Sequence, residues 1–194
     1  GEWDFKYYSH AGDIPKELDT AEIDFDKVTV PSTWQRTGYE PPVYLNCPYE
    51  IETKPPMLPD DMSGCVYRKT FNVEDTEKVY FLDFLGVCPC VDLYVNGAFV
   101  GYSEGSHNTA EFDITPYMVK GENEIVAVLH KWSTGTFLEC QDMFRENGIF
   151  RDVLLYELPK TYINDYYLRT SKKAGTYSLS ADIAVQGNTV GYTV

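Results

Sequence analysis

Positive charge is what this sequence has least of: 16 Lys and Arg stand against 30 Asp and Glu, for a formal net charge of −14 and an isoelectric point near 4.5. The longest basic run is Lys172-Lys173. Such a chain is repelled by phosphate backbones and anionic lipid, so neither nucleic acid nor a membrane surface is an expected partner. There is no apolar run of about 18 residues, no signal-peptide core and no Asn-x-Ser/Thr acceptor, and nothing points to insertion or secretion. The three histidines, His10, His107 and His130, lie far apart without zinc-ligand spacing and read as ordinary surface or hydrogen-bonded residues. Five cysteines, an odd number at 47, 65, 88, 90 and 140, make no disulfide framework. They read as reduced thiols, which predicts a cytoplasmic location. Cys88-Pro89-Cys90 is the one close pair, and without a second pair or a nearby His it reads as buried thiols rather than a metal site.

What is present is aromatic and strand-forming. Sixteen Tyr, 10 Phe and 3 Trp accompany 43% hydrophobic and 24% charged residues, a globular balance enriched in β-formers. Trp3, Phe5 and Tyr7 alternate with Asp4, Lys6 and Tyr8, predicting a half-buried strand from the first residues. Residues 31 to 64 hold most of the Pro and little periodicity. They predict a long ordered excursion in which Trp34, Tyr39, Tyr44 and Tyr49 must pack, Trp34 against the first strand rather than on a ligand.

Short strands are then predicted at 66 to 73, 78 to 86, 91 to 102, 109 to 114, 124 to 132 and 149 to 157. Within the third, Asn96-Gly97 separates two apolar runs and predicts a type I′ hairpin turn, because both central residues of that turn need positive φ. Asp113 or Thr115 is placed to cap one helical turn through Tyr117 and Met118, with Gly121 ending it in a left-handed conformation. Strands at this spacing without a convincing helix predict an all-β antiparallel sandwich or barrel over residues 1 to 159. After Pro159 the texture changes: 162 to 170, the alternation Tyr177, Leu179, Ala181, Ile183, Val185, and 189 to 194 predict three strands of a second unit. An immunoglobulin-like sandwich needs about 100 residues, so residues 160 to 194 read as the truncated start of one, leaving a strand edge unpaired, and the chain as part of a longer protein.

The densest charge lies in "LECQDMFRENGIFRDV", residues 138 to 153. Asp142 reads either as a solvated or salt-bridged carboxylate, with Arg145 or Arg151, or as a binding group. Glu139 and Glu146 read as structural or solvated, Arg151 and Asp152 as ordering the loop and strand entry, and Trp132 as core or interdomain contact.

Three long segments then appear together: "VPSTWQRTGYEPPVYLNCPYEI", "FLGVCPCVDLYVNGAFVGYSEGSHNTAEFDIT" and "GENEIVAVLHKWSTGTFLECQDMFRENGIFRDVLL". In order and spacing the chain resembles the N-terminal part of β-galactosidases of glycoside hydrolase family 2. The resemblance implies a jelly-roll sugar-binding domain, then an immunoglobulin-like domain, then a catalytic TIM barrel that this sequence does not reach. It implies a retaining hydrolysis of a β-galactoside by two glutamates of the barrel, with a catalytic magnesium site there too, so this chain alone is expected to be inactive. For this chain it implies that Asp142 meets sugar hydroxyls and helps to hold a sodium ion, a pairing suited to a carboxylate. Where the family commonly has Asn in G-V-N-S-A-F, this sequence has Cys88, a substrate-binding position with a poorer hydrogen-bonding group. The expected partners are a β-galactoside, the other domains of the same chain and, in the parent, further copies of itself. A free-standing carbohydrate-binding module and a purely structural brace are the alternatives.

Overall fold

The computed structural model describes residues 1–45, 51–52, 54–139 and 141–187. The chain runs through β1 (Glu2–Tyr8), β2 (Asp26–Thr29), β3 (Val43–Leu45), β4 (Gly64–Val73), β5 (Val79–Phe84), β6 (Val87–Cys88), β7 (Cys90–Val95) and β8 (Ala98–Glu104). It continues through β9 (Ala110–Asp113), β10 (Gly121–His130), β11 (Met143–Arg145), β12 (Gly148–Ile149), β13 (Val153–Leu158), β14 (Tyr162–Lys173) and β15 (Thr176–Gln186). The only helical elements among the described residues are 3-10 turns, at Ala11–Asp13, Thr115–Tyr117 and Thr134–Phe137. The protein is all-β.

A six-stranded antiparallel sheet, in the order β2-β1-β4-β10-β7-β8, packs against a three-stranded sheet, β13-β5-β9. Period-two alternation decides what lies between them. From the large sheet come Trp3 and Phe5, Cys65 and Tyr67, Ile125, Ala127 and Leu129, and Val91, Leu93 and Val95; from the small one come Tyr80, Leu82, Phe84 and Phe112. The rings meet edge-on, Phe84 and Phe112 at 6.2 Å and 89°. The outer face of the large sheet is covered by the segment after β1: Ile14, Leu18, Ile23 and Phe25 pack on Val66, Val126 and Val128.

Asn96 and Gly97 take φ of 51° and 79° between the paired residues Val95 and Ala98, as the hairpin reading requires. Asn96 donates to the Tyr117 carbonyl at 2.8 Å and accepts the Glu124 N–H at 2.9 Å. The short turn at 115 is 3-10 and is capped differently from expectation: Ile114 is the N-cap. The Asp113 carboxylate instead accepts the Thr115 N–H at 3.0 Å, while the Thr115 hydroxyl accepts the Tyr80 N–H at 2.9 Å. Gly121 does take positive φ, 98°, but it opens β10 rather than closing the turn. The strand predicted over 149 to 157 is broken, because the Phe150 and Arg151 N–H groups both turn to the Gly86 carbonyl and separate β12 from β13.

Past Pro159 the chain forms one hairpin, β14-β15, around Ala174-Gly175, both at positive φ. The predicted third strand, 189 to 194, lies outside the described residues. The apolar alternation of β15 is present but not half-buried: Tyr177 and Leu179 are 74% and 65% exposed, and no second layer among the described residues covers them.

The Pro-rich excursion is ordered by one carboxylate. Glu40 accepts from Tyr7 at 2.6 Å, from Ser63, from Trp34 Nε1 and Gln35 Nε2 at 3.2 Å each, and pairs with Lys131 at 3.2 Å. Trp34 is thereby sunk in the core against Tyr7, with ring centroids 6.2 Å apart, which is where the sequence placed it. Desolvation raises the Glu40 carboxyl, but the bonds from Ser63, Tyr7 and Trp34 and the charge of Lys131 outweigh it and hold the group below its ordinary value of 4.5. Replacing Glu40 with Ala removes the acceptor shared by Tyr7, Ser63, Trp34 and Gln35 and the ion pair with Lys131, with an expected loss of about 3 kcal/mol. In a melting experiment this is a fall of roughly 6–12 °C; a change under about 2 °C would remove Glu40 from this role. Because the folded carboxyl lies low, its contribution is fully present above the unfolded value and is lost as pH falls below about 4.5 towards the folded one, so the Glu40→Ala chain should lose less stability than the parent across that acid window.

Candidate functional site

The charge-dense segment 138 to 153 follows β10, and its placement begins at the end of that strand. Lys131 and Trp132 leave the sheet, and at the 3-10 turn Thr134–Phe137 the Thr136 hydroxyl accepts the Ser133 N–H at 3.0 Å while the Thr136 N–H donates to the Ser133 carbonyl at 3.0 Å. Glu104 of β8 fastens that turn, accepting from the Thr134 hydroxyl at 2.8 Å and the Gly135 N–H at 3.1 Å. Trp132 is buried, as core reading predicts.

Glu139 then accepts both the N–H and the hydroxyl of Ser106, at 2.7 and 2.6 Å. The Arg145 guanidinium donates to the carbonyls of Glu139 and Gln141 at 2.8 and 3.0 Å, curling the loop on itself. Glu146 accepts from Thr33 and from Arg36 Nε, both at 3.1 Å. Glu139 and Glu146 are structural, as expected. Arg151 orders its surroundings too, through the carbonyls of Leu85 and His107 at 3.2 and 3.1 Å.

Asn147 locks the loop to the excursion. Its N–H goes to Gln35 Oε1 at 2.8 Å, its Oδ1 takes the Gln35 amide at 3.0 Å, and its Nδ2 reaches the Lys131 carbonyl at 2.9 Å. Gly148 follows at φ 131°, where a Cβ would lie 2.9 Å from Tyr67 Oη and 3.0 Å from the Ser32 carbonyl.

These clamps leave β11 paired with β3 as an exposed ribbon, Phe144 opposite Tyr44. The two rings are 5.6 Å apart, tilted by 58°, and 57% and 51% exposed. Asp142, at the ribbon's end, is exposed and accepts the Tyr44 hydroxyl. Neither Arg145 nor Arg151 takes the part that a salt-bridged Asp142 would assign to it. The shared proton raises the Tyr44 phenol above its ordinary value of 10.0. A carboxylate beside two tilted aromatic faces can bond hydroxyls while the rings pack on a sugar's C–H face.

Cys88 lies on the wall of the adjoining cleft, a small space of ≈ 30 Å³ whose other walls include Lys131, Trp132, Met143, Phe144 and Arg145. Burial pushes its thiol up to about 12, and that of Cys90 to about 11, so both are protonated and neither is a ready metal ligand. Among the described residues no group of three or more His, Cys, Asp or Glu side chains is placed to hold a metal ion. An exposed carboxylate such as that of Asp142 is a hard-cation type of ligand, and it stands in no such group. Cys47, Tyr49 and Cys140 lie outside the described residues.

Sequence reading missed Tyr44 as the partner of Asp142, and Glu40 altogether. In the sequence Tyr44 is only an aromatic in need of packing. Its contact with Asp142 depends on a β3–β11 pairing that spans about a hundred positions, and no local pattern encodes it.

No helix among the described residues is long and apolar enough to cross a membrane. Compared with known proteins, residues 1–159 match the family "Glycosyl hydrolases family 2, sugar binding domain". The chain is 41% identical over 170 residues to a β-galactosidase of Actinobacillus pleuropneumoniae, covering 87% of this chain and 17% of that protein. It is 40% identical over 176 residues to one of Oenococcus oeni, covering 88% and 17%. Among solved structures, a Ruminococcus gnavus β-glucuronidase in complex with uronic isofagomine superposes with a TM-score of 0.73 at 17% identity, covering 97% of this chain and 33% of that one. An uncultured Clostridium sp. β-glucuronidase gives 0.67 at 21%, covering 95% and 32%. At that identity the structures speak for the fold, and the chain spans about a sixth of the curated relatives' length.

The clamp at Gly148 carries a direct test. Gly148→Ala places a methyl against Tyr67 and the Ser32 carbonyl at a φ that L-residues avoid, with an expected destabilisation of about 3 kcal/mol. Urea unfolding checks it; a midpoint equal to the parent's would show that the loop can shift without cost.

Proposed function

Because the chain belongs to glycosyl hydrolase family 2 through its sugar binding domain, we propose that it serves a β-galactosidase-type retaining hydrolase by lending side chains to the galactose subsite. The observation that carries this reading is the exposed group of Asp142, Tyr44 and Phe144 on a ribbon whose base is clamped at Glu139, Arg145 and Asn147. A carboxylate exposed at the end of a strand, beside two uncovered rings, has no packing role to perform.

In this reading Asp142 accepts hydrogen bonds from sugar hydroxyls and gives one oxygen ligand to a sodium ion, the Tyr44 hydroxyl orients the carboxylate, and Cys88 lines the neighbouring wall. The protein's other domains supply the two catalytic glutamates, their magnesium and the rest of the pocket. Residues 1–159 form the jelly-roll sugar-binding domain and 160–194 the first strands of an immunoglobulin-like one; the exposed apolar residues of β15 support a missing second layer. The free thiols of Cys65, Cys88 and Cys90 support a reducing, cytoplasmic setting. By itself the chain should show no turnover, since so few side chains cannot offset the entropy of holding a sugar.

The test is Asp142→Ala in the full-length enzyme. Loss of two charge-assisted hydrogen bonds predicts a fall of about 100-fold in kcat/KM for a β-galactoside. Tm should stay within about 2 °C, because the residue is exposed. Tyr44→Phe, which keeps the ring and loses the bond, should cost about 5- to 10-fold. An unchanged kcat/KM in Asp142→Ala would instead make the domain a brace for the catalytic barrel.

A further inference from the structure

A second polar site lies on the opposite side of the small sheet from the core. Tyr80, Leu82 and Phe84 of β5 face inwards, so alternation turns Phe81 and Asp83 outwards. Asp83 is nevertheless only 7% exposed. Its Oδ1 is buried without a hydrogen-bond partner among the described residues. Directly opposite on β9 stands Glu111, a second carboxylate. Like charges facing each other across two strands destabilise a sheet, and an ionised oxygen hidden from water costs more still unless something donates to it. Burial, and then the charge of Glu111, push the Asp83 carboxyl up from its ordinary range. Nothing in the core requires this pair, since both residues face away from it.

The start of β14 crosses over this face and makes a hollow of ≈ 290 Å³, with Phe81, Tyr156 and Tyr162 among its walls. Phe81 and Tyr162 stand nearly perpendicular, 72° apart with centroids at 6.3 Å. The hollow therefore joins an unpartnered buried carboxylate oxygen, a second carboxylate and several aromatic faces.

We propose that this hollow is a socket for the guanidinium of an arginine side chain presented by another polypeptide segment. A planar fork of donors can reach Asp83 and Glu111 together while its face lies on an aromatic ring, which a compact ammonium cannot do as well. Charge complementarity favours the same occupant, because the chain carries a net −14 and repels anions. The site is separate from the Asp142 ribbon, so it stands or falls independently of the sugar-binding reading.

The experiment is an NMR titration of the 194-residue chain with N-acetyl-arginine N-methylamide, its lysine counterpart, and the citrulline counterpart as neutral isostere. Expected are saturable shifts confined to Phe81, Asp83, Glu111, Tyr162 and their neighbours, with lysine weaker and citrulline inert. Methylguanidinium separates the sources: blocked arginine binding at least as tightly supports a side chain carried by a polypeptide, whereas tighter binding of methylguanidinium would overturn that occupant in favour of a free small cation. Glu111→Gln and Asp83→Asn should each weaken arginine by at least about tenfold. Asp83→Asn should also raise Tm of the unliganded chain, by about 2–4 °C, because it removes a buried unpaired charge. Citrulline shifting the same residues as arginine, unaltered affinity in both variants, or a lower Tm in Asp83→Asn would each overturn the proposal.

Discussion

The position of the β3–β11 ribbon and of the loop that leads into it depends on the Glu40 carboxylate. It lies in a proline-rich segment with almost no secondary structure, yet it gathers donors from β1, from the entry to β4, from the exit of β10 and from its own loop. A carboxylate suits this because its two oxygens accept several bonds in directions that a single amide or hydroxyl cannot cover. The charge is half-desolvated and would be costly unpaired, so each donor is held more firmly than a neutral acceptor would hold it. Trp34 is fixed in the core as a result, and Gln35 is presented to Asn147.

From that anchor the loop geometry follows in steps. Gln35 and Lys131 fix Asn147, Asn147 and Gly148 fix the end of the charged segment, and Arg145 with Glu139 fixes its beginning. The β3–β11 ribbon is held between these points. The acid excess of the chain thus has a structural use: Glu40, Glu104, Glu139 and Glu146 each clamp a turn, largely through hydroxyls and backbone or side-chain N–H groups. Arg and Lys are scarce, so hydroxyls and amides do much of the pairing. Two of the carboxylates outside this pattern carry the binding readings. Asp142 is exposed on the ribbon, and Asp83 is buried with an oxygen left unpaired. Each is unexplained by packing, which is the physical ground for reading both as places where something binds.

Strand existence was legible wherever one face is buried, since a period of two is then enforced by the core: β1, β5, β7 and β10 all fall where alternation placed them. The Asn96-Gly97 turn was legible because positive φ at two successive positions selects those residues locally. Boundaries were less so. The split between β12 and β13 depends on the Gly86 carbonyl, more than sixty residues away, drawing two successive N–H groups. Alternation in β15 promised a buried face that nothing here covers, because periodicity records which residues will be buried and not by what.

By itself, then, the sequence determined the class of fold, the hairpin, the burial of Trp34 and, through its long segments, the family. Those properties rest on local periodicity, on φ preference and on motifs read in order along the chain. Only the tertiary structure decided that Tyr44 orients Asp142, that Glu40 gathers five partners and that Asp83 faces Glu111 without a cation. Each of those joins residues that are remote in sequence, through side chains whose direction is set by strand register, and register is a property of the packed sheets.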